Sequence, residues 1–333
     1  MIKIGVVGVG HLGQHHAQKF QNIDGAELVG IFDINEQRAK EIAKKLNTRS
    51  FNSYEELLTA CDAIDISATT TAHYELAKTA LLAGKHIFVE KPITSELAQA
   101  NDLLKLASER NLIIQAGHIE RFNPVILKIE NEINNPLFIE SQRISTFQPR
   151  GTDVPVVLDL MIHDIDLILS FVHSPVTDIK ASGVGIFTST IDIANARIEF
   201  ANGAVANVTS SRVSTKQERK LRFFQNDAYI RMDFLAKNVR VIKKSSDINS
   251  LLPQILMGAP NINPEQLLDI KSYDADDINK DALTIELESF IDCLKNNKKP
   301  IVDGEAGTRA LEIATKIINQ IQTQNTRINL LHR

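Results

Sequence analysis

Through the first third of the chain, short apolar runs alternate with longer stretches in which apolar residues recur at helical spacing. That alternation is the pattern of a parallel α/β sheet, whose strands are buried on both faces and read as continuous apolar segments. Strands are predicted at Ile2–Val7, Glu27–Phe32, Ala63–Ser67, Ile87–Glu90 and Ile113–Ala116. One helix is predicted to begin near Leu12, and a second over Tyr74–Ala83 is stopped by Gly84. A third runs to about Glu109, with Thr94-Ser95 offering its N-cap.

Past Asn123-Pro124, where asparagine as cap and proline in the first turn predict a helix start, the texture changes. Leu137–Ser145 reads as a strand, Val156–Phe171 as a helix, and Asp178 to Lys244 as consecutive antiparallel strands. Asn202-Gly203, between the runs Ala194–Phe200 and Ala204–Ser210, is a hairpin-turn signal. Ser245–Asn263 reads as an irregular connection, and helices over roughly Asp281–Asn296 and Glu305–Gln322 close the chain. The expected organisation is a doubly wound α/β domain over 1–120 and an α+β domain over 121–333. The two C-terminal helices are expected to pack back towards the first domain.

Composition leaves this fold unchanged but narrows the partners. The 333 residues are ample for two domains, and 43% hydrophobic with 23% charged residues is ordinary for a globular protein. A net charge of -4 disfavours nucleic acid and anionic membrane surfaces as partners. Cys61 and Cys293 lie far apart, with no metal or redox spacing, and read as reduced thiols of a cytoplasmic protein. The apolar run after Met1 is about six residues, too short for a signal-peptide core. No segment approaches the ~20 apolar residues of a membrane helix.

Gly8-Val9-Gly10-His11-Leu12-Gly13 follows the first strand directly and opens a helix, the context a dinucleotide-binding loop requires. The first glycine permits the tight turn, the second lets the backbone approach a pyrophosphate, and the third lets helix and strand pack closely. The helix N-terminus then stabilises the phosphates. Asp33 ends the second strand, where a carboxylate can accept hydrogen bonds from the adenosine ribose and repels a 2′-phosphate. Ile34 and Asn35 supply no compensating cation, and Arg38 is placed on a helix facing solvent, so NAD is favoured over NADP. His11, His15 and His16 cluster nearby, but His15 and His16 cannot share a helix face and no thiol or acid accompanies them, so no metal site is expected. His11 can border the pyrophosphate, while His16 reads as packing.

Two further groups carry candidate chemistry. Lys91 sits in Glu90-Lys91-Pro92, where an apolar strand runs out at what would be the ligand-binding edge of a parallel sheet. Pro92 restricts its backbone, and partial desolvation there would bring an amine towards the range of proton-transfer chemistry. Taken alone, Lys91 is a surface residue in a turn. On the helix of the second domain, Asp159 and His163 are spaced i and i+4, with Asp166 one turn further, so all three line one face. Leu158, Ile162, Ile165 and Leu169 can form the apolar face. A histidine can exchange protons at neutral pH, and an adjacent carboxylate would orient it. Without other support this is a solvated acidic stripe with one histidine.

Together the glycine loop, Val89-Glu90-Lys91-Pro92, and Asp159 with His163 and Asp166 resemble the glucose–fructose oxidoreductase, inositol dehydrogenase and rhizopine-catabolism (Gfo/Idh/MocA) family, in order and spacing along essentially the whole chain. The resemblance implies a Rossmann domain followed by an α+β domain with a large open, mostly antiparallel sheet, often used to form dimers or tetramers. It implies pyridine-nucleotide hydride transfer at a sugar, nucleotide-sugar or cyclitol hydroxyl. Lys91 would then hydrogen-bond the reacting oxygen, His163 would be the general acid/base, and Asp159 would position substrate or His163. Glu90, Thr69, Thr70 and His73 would line the cofactor, the threonines and His73 having helix capping as their plain alternative. More narrowly, Gly117-His-Ile-Glu-Arg-Phe-Asn-Pro124 with Leu158–Asp166 resembles the branch that oxidises the 3-hydroxyl of UDP-N-acetylglucosamine. Arg121, Arg143 and Arg150 are candidates for its diphosphate, and Asp166 for substrate contact. Two other readings stay open: a catalytically silent nucleotide- or sugar-binding regulator on the same fold, and an NAD(P)H-dependent reductase of imine or unsaturated substrates.

Overall fold

The computed structural model of the chain describes residues 1–148, 154–257, 264–276 and 278–331. The chain divides into two compact units, residues 1–123 with 280–312 and residues 124–279 with 313–333.

The first unit runs β1 (Ile2–Val7), α1 (Gly13–Phe20), β2 (Ala26–Phe32), α2 (Glu36–Leu46), α3 (Tyr54–Ala60), β3 (Ala63–Ile66), α4 (Thr70–Leu82), β4 (His86–Glu90), α5 (Leu97–Arg110) and β5 (Ile114–Gly117). All strand pairs are parallel, in the order β2-β1-β3-β4-β5. The order reverses between β1 and β3, the switch point where such sheets open a crevice at their carboxyl ends. On one face Ile4, Val6, Ile31 and Phe88 pack with Ala17 and Phe20 of α1 and with Leu287, Phe290 and Ile291. On the other, Gly5 leaves room for Leu57 of α3: a Cβ there would lie 2.7 Å from its Cδ1. Helices α2 and α5 end on Asn47 and Asn111, both in the left-handed conformation that asparagine tolerates best after glycine.

The second unit begins with α6 (Pro124–Leu127), a single turn where a longer helix could be expected from Asn123-Pro124. It continues through β6 (Phe138–Thr146), a π-helical turn at Val157–Met161, and α7 (Ile162–Phe171). Then come β7 (Val176–Val184), β8 (Ile193–Phe200), β9 (Val205–Ser214), β10 (Glu218–Phe224), β11 (Ala228–Asp233), β12 (Asn238–Lys244), α8 (Ile248–Leu256) and β13 (Leu268–Asp274). Eight strands form one open sheet, β13-β12-β11-β10-β6-β9-β8-β7, antiparallel except for β6 against β9. The Asn202-Gly203 turn has Gly203 at φ +86°. Alternate residues such as Ile139, Leu221, Phe223, Ile230, Met232 and Val241 are buried on one face. The opposite face carries rows in register: Phe138, Phe224, Tyr229, Ile242 and Ile270, then Glu140, Arg222, Arg231, Arg240 and Ser272.

Helix α9 (Ala282–Asn296), capped by the Asp281 carboxylate on Thr284 N, belongs to the first unit. The division falls inside α10 (Gly304–Leu331), which runs beyond the predicted Gln322. Two local readings are corrected. Thr94 does not cap α5: its hydroxyl donates to Glu96 O, and the cap position is Glu96. The stretch after Ser245 is not irregular throughout, since it contains α8, while 258–263 lie outside the described residues.

Candidate active site

At the carboxyl ends of β1, β2, β3 and β4 the chain places, in turn, the glycine loop, Asp33, residues 67–70 and the Glu90-Lys91-Pro92 turn. The three glycines are required for different reasons. Gly8 has φ +80°, and a Cβ there would lie 2.6 Å from Ala68 Cα. At Gly13 a Cβ would lie 1.9 Å from Gly8 O, so helix and loop touch backbone to backbone. At Gly10 a Cβ would meet nothing within 4 Å, and the neighbouring His11 and Leu12 are exposed. This open cradle at the start of α1, with no acidic residue in the first turn of the helix, fits a dinucleotide pyrophosphate.

Asp33 accepts from Val9 N and from Asn35 N, each at 2.9 Å, so one carboxylate ties the loop to the end of β2. Lone pairs remain on both oxygens for ribose hydroxyls. Arg38 corrects the expectation that it faces solvent. Its Nε donates to Val9 O at 3.1 Å and its Nη2 to Gln14 Oε1 at 3.4 Å, which sets a cation beside the loop. Among the described residues no group of histidine, cysteine and acid has metal-binding geometry.

The Glu90-Lys91-Pro92 turn has a cis Lys91–Pro92 peptide, and Lys91 is half-buried. Glu90, expected to line the cofactor, turns its carboxylate into the protein. Its Oε2 accepts from Lys91 N at 3.2 Å, and Oε1 lies 3.3 Å from His16 Nε2. The other ring nitrogen of His16 lies 2.8 Å from Asp65 Oδ2, and Ser67 Oγ donates to Asp65 Oδ1 at 2.6 Å. His16 is therefore more than packing. Burial opposes its charge, but the Asp65 and Glu90 carboxylates outweigh it and raise its pKa well above the ordinary value. Burial pushes Glu90 up, and His16 and Lys91 more than reverse this, holding it below the usual carboxylate range.

His73 also departs from expectation. It is buried, with Nδ1 2.9 Å from Pro92 O and Nε2 3.1 Å from Ala68 O, so it braces two loops from behind and presents no ring face to a ligand. Desolvation lowers its pKa. Thr69 occupies the N-cap position of α4 but makes no side-chain capping bond; its hydroxyl is exposed, and Thr70 is half-buried.

In the second unit Asp159 lies in the π-helical turn and His163 in the first turn of α7, both half-buried. The wider turn changes the angular offset assumed for a regular helix; π-turns recur at functional sites. Asp166 is buried, at 2% exposure. Arg143 is corrected as a diphosphate ligand. Its Nε and Nη2 donate to the two oxygens of Asp164 at 3.0 and 2.9 Å, a bidentate pair buried beneath the sheet surface. Arg121 lies on the turn 119–122 and is half-buried, and Arg150 lies outside the described residues.

A parallel sheet with a glycine loop built for a pyrophosphate, an acid at the end of its second strand and a lysine at the end of its fourth defines a nicotinamide-nucleotide oxidoreductase. Residues 2–118 match the oxidoreductase family described as NAD-binding Rossmann fold, and residues 126–231 match the GFO/IDH/MocA C-terminal domain. The chain belongs to the Gfo/Idh/MocA family of oxidoreductases. It is 35% identical to the UDP-N-acetylglucosamine 3-dehydrogenase of Acidithiobacillus ferrooxidans over 95% of this chain and 96% of that protein. A solved structure of that enzyme superposes with a TM-score of 0.87, covering 97% of this chain and 98% of that one. The scyllo-inositol 2-dehydrogenase (NAD(+)) of Bacillus subtilis is 25% identical over 96% of this chain and 94% of its own.

Proposed function

We propose that this protein is an NAD-dependent dehydrogenase that oxidises the 3-hydroxyl of UDP-N-acetylglucosamine or a closely related nucleotide-sugar. The observation that carries the substrate is the full-length similarity to the Acidithiobacillus enzyme, with Lys91, Asp159 and His163 present. The glycine loop, Asp33 and Lys91 belong to the first unit, and Asp159 and His163 to the second. The cofactor supplies a nicotinamide carbon that accepts or returns a hydride. Lys91 donates a hydrogen bond from its ammonium to the reacting oxygen and stabilises negative charge as it develops. His163 removes the hydroxyl proton, and Asp159 orients His163 or the sugar. Arg121 is the candidate for the diphosphate, and Gly8, Gly10, His11, Leu12, Gly13, Thr69 and Thr70 line the cofactor.

Asp33 favours NAD by repelling a 2′-phosphate, and Arg38 nearby weakens that exclusion. We read the protein as cytoplasmic, its two cysteines being buried thiols. It is also read as a homo-oligomer, through the outer sheet face. There the row Phe138, Phe224, Tyr229 and Ile242 lies beside arginines 222, 231 and 240, with Gln142, Lys220, Asp233, Asn238 and Asp274 beyond. Turned about a two-fold axis, such a surface can bury its aromatic row and bring arginines towards Asp233 and Asp274.

NAD reduction measured with UDP-N-acetylglucosamine, other UDP-sugars, cyclitols and free hexoses tests the reading. Turnover with the nucleotide-sugar, at least about 100-fold lower in Lys91→Met, is expected. Tight NADH binding with no turnover on any of them would establish a silent binding protein instead. Oxidation of NADH with imine or unsaturated acceptors alone would establish a reductase.

A further inference from the structure

The turn that carries Lys91 is gripped from two directions by histidines that belong to different helices. From α1, His16 reaches Glu90, whose second oxygen takes the N–H of Lys91 itself. From α4, His73 reaches the carbonyl of Pro92, one residue past the lysine. Both rings are 1% exposed. His16 packs edge-on against Phe88, at 5.6 Å between ring centroids, but both its nitrogens serve carboxylates. It answers Asp65, a carboxylate in the middle of the fully buried strand β3, which would be costly there without a charged partner. Gly117 adds to this, because a Cβ at that position would lie 3.0 Å from Glu90 Oε1 and press on the carboxylate.

We propose that His16 and His73 are positioning residues for Lys91, fixing where its ammonium is presented by holding Glu90 on one side of the turn and Pro92 on the other. The role rests on Lys91 acting at the reacting oxygen. Because α1 is the helix that opens at the glycine loop, the His16–Glu90 contact also joins the cofactor helix to the lysine turn. Glu90 is thereby reassigned from cofactor lining to the link between them. The two grips differ in chemistry. His16 stands between two carboxylates and holds Glu90 as a cation. His73 faces two carbonyl oxygens, which only accept, so its ring holds the turn as an N–H donor.

The test compares His16→Asn, His73→Leu and His73→Gln in the full chain, with melting temperature and NADH affinity measured on each. On the substrate found above, His16→Asn and His73→Leu are expected to lower kcat by about 100-fold, as a misplacement of about 1 Å can, while KM and the NADH Kd stay within about threefold. His73→Gln, which keeps an N–H for Pro92 O, should recover to within about fivefold of the native rate. Combining His16→Asn with Lys91→Met should be no worse than Lys91→Met alone, since both remove the same contribution. A kcat within about threefold of native in both histidine variants, or additive losses in the double variant, would overturn the proposal.

A second readout is independent of turnover. The acetylation rate of Lys91 relative to the other lysines, followed by peptide mass mapping, should change by at least about threefold in His16→Asn and in His73→Leu. An unchanged rate overturns the positioning role even if no substrate is turned over, and a changed rate with no turnover sustains it while rejecting the dehydrogenase reading. If His16→Asn does not fold, the His73 pair and Glu90→Gln carry the same measurements.

Discussion

Replacing Gly13 with alanine puts a methyl carbon 1.9 Å from the carbonyl oxygen of Gly8, and Cβ contacts under 3.0 Å are essentially never seen. The methyl must therefore move by at least 3.0 minus 1.9, or 1.1 Å. Gly8 cannot retreat, because it is held at φ +80° against the backbone of Ala68, and Ser67 Cβ waits 3.1 Å from the new methyl. Helix α1 must lift off the sheet, losing contact between Ala17, Phe20 and the strand residues Ile4 and Val6. Overpacking of this kind costs about 1–3 kcal/mol, and backbone neighbours place it at the upper end. For a unit of this size that is a fall of roughly 4–12 °C in melting temperature. Gly10→Ala is the matched control. Its methyl meets nothing, so the fold should be unchanged or gain about 0.4–1 kcal/mol from the stiffer unfolded chain. The same methyl fills the pyrophosphate cradle, and NADH affinity should fall about tenfold or more, which is about 1.4 kcal/mol. Far-UV circular dichroism melts give the first quantity. NADH fluorescence titration gives the second, without interference because the chain has no tryptophan. A Gly13→Ala protein that melts like the native one, or a Gly10→Ala protein that binds NADH normally, would refute the reasoning.

Asp33→Ala should raise the NADP/NAD ratio of kcat/KM by about tenfold or more, and Arg38→Ala should lower it; an unchanged ratio in both would exclude this pair from cofactor choice. In the second unit Asp192 is buried, accepting from the backbone N–H groups of residues 186, 187 and 188 and from Arg212 Nε at 2.8 Å. Arg212→Met, which leaves that carboxylate buried without its cation, should cost about 3–5 kcal/mol in urea unfolding, and a cost under about 1 kcal/mol would show that the backbone donors suffice. The raised His16 pKa contributes stability that is fully present below the ordinary histidine value of about 6.5 and is lost as pH rises through the folded value. The lowered Glu90 pKa works in the opposite sense, its contribution being lost as pH falls through the folded value. The melting temperature of the native chain should therefore fall more steeply than that of His16→Asn on the alkaline side, and parallel curves would exclude the His16 charge as their source.

The glycine loop was legible because its constraints are local. A tight turn, a close approach and a helix start are properties of six consecutive residues, and Asp33 follows at the end of the next strand. The parallel sheet was legible for the same reason: strands buried on both faces show as unbroken apolar runs such as Ile87-Phe88-Val89. Burial of Asp65 inside Ala63-Ile-Asp-Ile66 was a signal of the same kind, since a carboxylate in a fully buried strand needs a partner, but nothing nearby in the chain says which.

The partners came only from folding. His16 and Asp65 are 49 residues apart in the chain and 2.8 Å apart in space, so the histidine that reads as packing on an isolated helix becomes a charged link to the lysine turn. Arg143 and Asp164 show the converse, an arginine free for a diphosphate in sequence terms whose guanidinium is spent on a buried carboxylate. Arg38, on the solvent side of a helix by its period, reaches back to Val9 because α2 follows directly on β2 beside the loop. Local sequence determines which backbone conformations and element types are possible, because those are set by neighbouring residues. Which charges meet depends on long-range contacts, and these decide whether a lysine, a histidine or an arginine is a working group or a brace.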